Sequence, residues 1–187
     1  MLETSILDQV RGIFQQLESH YTFHITYHPN HEQARELIDF LNDVAGCSDK
    51  LSCELTETDE PKLEFTLKKE GKETGIIFRA IPGGHEFSSL LLAVLNADGK
   101  GKNLPDEAIS RRIKALQGPI HLQTYVSLTC TNCPDIVQAL NIVALLNPQI
   151  NHETIDGAIF QAEADALKIQ AVPSVYANGK LLHVGRG

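Results

Sequence analysis

The chain has 187 residues, 42% hydrophobic and 21% charged, with a formal charge of −8. That length buries a real core, as one large domain or two small units, and the acidic balance without a long Lys/Arg cluster excludes a nucleic-acid surface. No apolar run approaches the ~20 residues that span a membrane, and "MLETSILDQVRGIF" carries acids where a secretion signal needs a basic region, so a cytoplasmic location is expected.

Ile6, Val10, Ile13, Phe14 and Leu17 recur at helical spacing and predict an amphipathic helix over 5–18. "YTFHITY" (21–27) alternates as a strand, and Ala34, Leu37, Ile38, Leu41 and Val44 mark a second helix that stops at Gly46. "LSCELTE", "KLEFTLK" and "GIIFRAI" read as strands. After Pro82-Gly83-Gly84 comes a helix with Phe87, Leu90, Leu91, Val94 and Leu95 on one face. "NADGKGKN" (96–103) reads as a flexible polar linker. Beyond it Pro105 opens a helix expected to turn Ile109, Ile113 and Leu116 inward. In "IHLQTYVSL" the residues Ile120, Leu122, Thr124, Val126 and Leu128 share one strand face. The next helix buries Ile136, Val137, Leu140, Val143 and Ala144 and ends at Asn147-Pro148. "INHETI" is a strand, a short helix falls around 159–168, and "PSVYANGKLLHV" is a hairpin turning at Asn178-Gly179.

Helix, strand, helix, strand and hairpin thus occur twice. A shift of 102 sets His28-x-x-His31 on Cys130-x-x-Cys133, and Pro61 then plays the part of Pro173. The expected fold class is α/β: two fused units, 1–98 and 103–187, with central mixed β-sheets flanked by helices, only the second keeping its thiols. A helix follows the first hairpin and none follows the second, so the native chain is expected to continue past Gly187.

Cys47 and Cys53, in "CSDKLSC", belong to no motif and read as small hydrophobes. Cys130 and Cys133 differ, because a close pair in a reducing compartment is catalytic or metal-binding rather than a permanent staple. Zinc would need two more ligands. Only His28 and His31 offer themselves, and the repeat places them at the other unit's helix start, as exposed residues of a lapsed site. At a strand-to-helix junction Cys130 meets a helix N-terminus, whose free N–H groups and dipole favour a thiolate. Cys133, one turn on, faces the same side and is placed to resolve a mixed disulfide. Pro134 stiffens the helix start. Pro173, entering a strand after a helix, is a candidate cis-proline opposite the thiols, leaving the Val172 backbone free to pair with an extended substrate.

"CxxCP" with a later "VP" before a hairpin resembles the thioredoxin-like disulfide oxidoreductases. "GGHEFSSLLLAVL", "SLTCTNCPDIVQALN", "LNPQI", "IDGAIFQ" and "ANGK" together look like the N-terminal domain of bacterial alkyl hydroperoxide reductase flavoproteins, across most of the chain. Thr131-Asn132 inside the pair, and the lack of a tryptophan before Cys130, depart from ordinary thioredoxin and agree with the narrower family. The resemblance implies a tandem thioredoxin-like fold with a silent first unit. It implies electron transfer from a flavin-linked dithiol through Cys130-Cys133 to a peroxiredoxin that reduces hydroperoxides. It further implies FAD and NADH in C-terminal reductase domains of the native chain, with no cofactor or metal in this portion. A stand-alone, glutaredoxin-like general protein disulfide reductase is the other reading; the silent unit favours the relay.

Disulfide exchange also needs a group to take the proton of the buried thiol. Ordinary thioredoxins use an aspartate on the strand leading to the cysteines, but Leu122, Thr124, Val126 and Leu128 offer none. Glu86, in "GGHEF" of the silent unit, is the candidate proton relay, with Gly83 and Gly84 permitting close approach. Its other reading is a helix-start acid favoured by the dipole. His121, His152 and His183 are expected on strand faces that touch solvent.

Overall fold

The first helical repeat folds as α1 (Thr4–Phe14), which buries Val10 and Phe14. The computed structural model describes residues 2–185, so the last two positions of "HVGRG" lie outside it. Strand β1 (Tyr21–Tyr27) buries alternate residues Tyr21, Phe23 and Ile25, as a half-covered strand must. Helix α2 (Ala34–Ala45) lays Leu37, Ile38, Leu41 and Val44 on that face and stops at Gly46. Then come β2 (Leu51–Glu57), β3 (Leu63–Lys69) and β4 (Lys72–Arg79), and, after a single 3-10 turn at Gly84–Glu86, α3 (Phe87–Ala97). The second half runs α4 (Glu107–Lys114), β5 (Ile120–Val126), α5 (Cys133–Leu146), β6 (Ile150–Asp156), α6 (Gln161–Ala166), β7 (Ser174–Ala177) and β8 (Lys180–Val184).

The mixed-sheet α/β architecture is as expected, with one difference: the two sheets are one. All eight strands join in the order β2-β1-β3-β4-β6-β5-β7-β8. The seam is β4 beside β6, parallel, with Ile76–Arg79 against His152–Ile155. Each half alone would leave a strand edge with unpaired N–H and C=O groups, and pairing the halves satisfies both edges. Gly75 lets the strands close in, since its φ is +90 and a Cβ there would stand 2.9 Å from the Ile150 carbonyl oxygen. Above the seam α3 packs against α5, and the first half's core extends to Ala144.

The internal repeat has a stricter register than the sequence comparison assigned. Tyr21 answers Ile120, Ala34 answers Cys133 and Leu51 answers Ile150, a constant offset of 99. A shift of 102 errs by three residues, about one helical turn, so the apolar stripes of the helices still coincide. His31 therefore lies at the position of Cys130, and Ala34 at that of Cys133. Pro61 is exposed and is not among the cis bonds, whereas Pro173 is buried and cis.

Two local expectations also change. Helix α4 starts at Glu107, capped by the Asp106 carboxylate on the Ile109 N–H at 2.9 Å, so Pro105 precedes it. Ile109 and Leu116 are half exposed rather than turned inward. Nor is the 96–103 segment loose throughout. The Asp98 side chain is 1% exposed and accepts the Glu18 and Ser19 N–H groups, the Tyr21 hydroxyl and the Lys100 ammonium. Burial alone would raise this carboxyl, but those donors outweigh it and hold the pKa at about 2. No described helix is long and apolar enough to cross a membrane.

Candidate active site

Strand β5 ends at Val126, and a turn closed by the Cys130 N–H on the Ser127 carbonyl (3.0 Å) carries the chain to Cys130. Helix α5 begins at Cys133, three residues later than a start at Cys130 would require, with Pro134 in its first turn, where a missing N–H costs least. The two cysteines form a disulfide with Cα atoms 5.6 Å apart. They are unequal: Cys133 is 0% exposed, packed with Val126 and Val137, while Cys130 is only partly buried. The positive end of the 14-residue α5 still lies against the pair and favours negative charge there.

Across from the disulfide the Val172–Pro173 peptide is cis, and the Val172 carbonyl oxygen lies 3.9 Å from Cys130 Sγ. With the sulfur oxidised this is a contact rather than a hydrogen bond. A groove of about 300 Å³ runs beside it, lined by Tyr125, Val126, Ala164, Ile169 and Val172 among others.

Glu86 approaches from the other half. Gly84 (φ +53) presses on the loop before Cys130, where a Cβ would meet the Leu128 carbonyl oxygen at 2.8 Å, and the His85 N–H donates to that oxygen at 2.9 Å. Glu86 itself is 1% exposed. The Ser89 hydroxyl donates to its Oε1 at 2.6 Å, its Oε2 has no partner, and it makes no side-chain cap for α3. Gln138, on α5 beyond Cys133, donates to the Ser89 hydroxyl at 3.1 Å and ties this corner to the cysteine helix. Burial pushes the Glu86 carboxyl up to about 7, against the lowering effect of Ser89.

The inward face of β5 carries no carboxylate, but β6 beside it supplies polar groups that periodicity alone misread. His152 is wholly buried rather than solvent-facing, its ring nitrogens held by Thr124 Oγ1 and Asn141 Oδ1 at 2.7 Å each. Burial, and then the neighbouring His121, lowers its pKa to about 3. Asp156, paired in register with Val126, is a second buried carboxyl, raised by burial and lowered in part by the Ala158 N–H. The signal was the run His152, Thr154, Asp156, polar residues at every inward position of one strand. His121 is partly exposed beside Glu153, and His183 is intermediate. Cys47 is buried and Cys53 partly so, both free thiols raised by burial. Among the described residues, no three His, Cys, Asp or Glu side chains gather to hold a metal.

A disulfide at the tip of a helix, beside a cis-proline strand, places the chain among the thioredoxin-like dithiol–disulfide oxidoreductases. Residues 120–187 match the thioredoxin domain family. The whole chain is 38% identical over 186 residues to the alkyl hydroperoxide reductase flavoprotein AhpF of Pseudomonas aeruginosa, covering 35% of that protein. It is 36% identical over 186 residues to an NADH dehydrogenase of Bacillus subtilis, covering 100% of this chain and 36% of that one. A crystal structure of the N-terminal domain of alkyl hydroperoxide reductase AhpF from Enterococcus faecalis superposes with a TM-score of 0.88 at 28% identity, covering 100% of this chain and 96% of that one. The chain belongs to the AhpF family of alkyl hydroperoxide reductases, as the counterpart of its N-terminal domain. It spans about a third of the length of the curated relatives it matches.

Proposed function

We propose that this chain is the electron-relay domain of a hydroperoxide-reducing flavoprotein, passing electrons through Cys130 and Cys133 to a peroxiredoxin. The observation that carries the reading is the unequal burial of the disulfide pair, one sulfur reachable and one enclosed. In the loading step a dithiol of the reductase part attacks the Cys130–Cys133 bond, becomes a disulfide and leaves two thiols here. In the delivery step the Cys130 thiolate attacks the partner's disulfide and expels one thiolate. Cys133 then loses its proton to Glu86 and attacks Cys130 Sγ, releasing the second thiolate and restoring the disulfide. Two electrons move in each step. The Val172 backbone, beside Cys130, docks the partner's extended chain ahead of Pro173.

The rest of the native chain holds FAD and NADH in this reading, supported by the relatives' greater length and by the name of the Bacillus subtilis protein. Residues 1–98 and 103–187 are the two units, the first without cysteines at its corresponding helix start. The constant offset of 99 supports that division. Two free thiols in a chain that also carries a redox pair favour a reducing, cytoplasmic setting. The test is to offer the reduced protein an oxidised peroxiredoxin, insulin and a glutathione mixed disulfide. Fast transfer to the peroxiredoxin alone supports the relay; comparable rates on all three assign the chain to general disulfide reduction.

A further inference from the structure

Strand β4 of the first half ends at Arg79, whose guanidinium turns wholly to the second half. Its Nε donates to Glu153 Oε1 at 2.6 Å, and Nη1 and Nη2 donate to the two Glu163 oxygens at 2.8 and 2.5 Å. Its Cζ lies 4.8 Å from the centroid of the Phe160 ring. The Tyr125 hydroxyl donates to the same Glu163 carboxylate, and the His31 ring, also from the first half, stands 6.5 Å from Phe160. Such a forked, charge-assisted pair fixes direction as well as distance.

Glu163 belongs to α6, a helix of six residues that buries only Ala164. From α6 the chain runs straight into the segment that faces the disulfide, with the Ile169 N–H on the Ala164 carbonyl at 3.1 Å and the Lys168 N–H on the Asp165 carbonyl at 3.0 Å. Three residues beyond Ile169 comes Val172, and α6 and this segment form one wall of the groove beside Cys130. So short a helix, with one buried side chain, takes its position from the Glu163 clamp.

We infer that Arg79 is a positioning residue for the docking of protein substrates: by holding α6 it fixes the loop whose Val172 backbone meets the extended chain around the partner's disulfide. The inference rests on the docking role of Val172 and extends it, giving the first half a part in recognition separate from the proton chemistry of Glu86. Small disulfides need no such wall.

The test uses the full native protein with Glu163→Gln, which opens the clamp at its more exposed end, and Arg79→Lys, which keeps the charge and loses the fork. Each reduced protein is assayed against a disulfide-form peroxiredoxin and against the small aromatic disulfide dithiobis(nitrobenzoate). The expected result is a KM for the peroxiredoxin raised about tenfold, with kcat and the small-disulfide rate unchanged. An unchanged KM in both variants, or a parallel fall on both substrates, overturns the inference. The docking reading is checked separately, by hydrogen exchange at the Val172 N–H in a Cys133→Ser complex trapped with the peroxiredoxin. No slowing there sinks the docking role; slowing with an unchanged KM in the clamp variants sinks only the role of Arg79.

Discussion

Gly84 and Leu128 meet backbone to backbone across the two halves: a Cβ on Gly84 would stand 2.8 Å from the Leu128 carbonyl oxygen, at a φ of +53. Through this contact the first half touches the turn that presents Cys130. Gly84→Ala is expected to lose about 1–3 kcal/mol of stability, from the strained φ and the displaced loop. Peroxiredoxin reduction should fall with it, because the shift carries Glu86 away from the cysteines. Denaturant titration and transfer rates on one preparation check both effects; normal values in both would mean the contact is slack.

Glu86 makes stability depend on pH in a defined direction. Its carboxyl rises from an ordinary 4.5 to about 7, so the folded state holds the proton more tightly than the unfolded chain. Its contribution is therefore full below about 4.5, declines as pH rises to about 7 and is flat above, a span of up to ~3 kcal/mol. Glu86→Gln should flatten that slope and be the more stable protein above pH 7. If Glu86 takes the Cys133 proton, the same variant slows transfer by ~10²-fold and moves the pH profile of thiol alkylation. A flattened slope with an unmoved alkylation profile would leave Glu86 a structural acid.

His152 acts at the opposite end of the scale. Held neutral in the fold with a pKa of about 3 against an ordinary 6.5, it favours the folded state above 6.5. That advantage is lost progressively as the pH falls from 6.5 towards 3. His152→Gln should cost about 1–3 kcal/mol at neutral pH, through the disturbed Thr124 and Asn141 partners, yet unfold at a lower pH relative to its own neutral stability. Circular dichroism across pH 7 to 3 reads this, and an unaltered acid limb would remove His152 as the trigger.

Asp98 is expected to be the most sensitive position of the segment between the halves. Asp98→Ala strips the partner from two backbone N–H groups, the Tyr21 hydroxyl and Lys100, at a cost of about 3 kcal/mol or more. A thermal melt within a degree or two of the parent protein would contradict the role assigned to that carboxylate.

Side-chain periodicity was enough to read the strands from Tyr21 to Val126, the helices with continuous apolar stripes, and the pairing of Cys130-Cys133 with Pro173. The sheet seam was hidden because β4 and β6 join through backbone groups that any residue carries. Ile76 to Arg79 would look the same on a free edge. The three-residue error in the repeat survived because a slip of one helical turn preserves the buried stripe of α2 and α5. Asp98 sits in a run of Gly, Lys and Asn, where its neighbours describe a loop and only the fold supplies its donors. His152 was misplaced for the converse reason. A polar residue on a strand reads as solvent-facing until its partners, Thr124 and Asn141, are seen to be buried with it. Glu86 was legible by elimination, since β5 offered no acid and two glycines preceded one.

The most direct test of the relay is a trapping experiment with single-cysteine variants and an oxidised peroxiredoxin. Exposure makes Cys130 the attacking sulfur and enclosure makes Cys133 the resolving one. The Cys133→Ser protein should accumulate a mixed disulfide joined through Cys130, while the Cys130→Ser protein forms none and transfers no electrons. A covalent complex joined through Cys133 in the Cys130→Ser protein, or none with the peroxiredoxin in either variant, would contradict it.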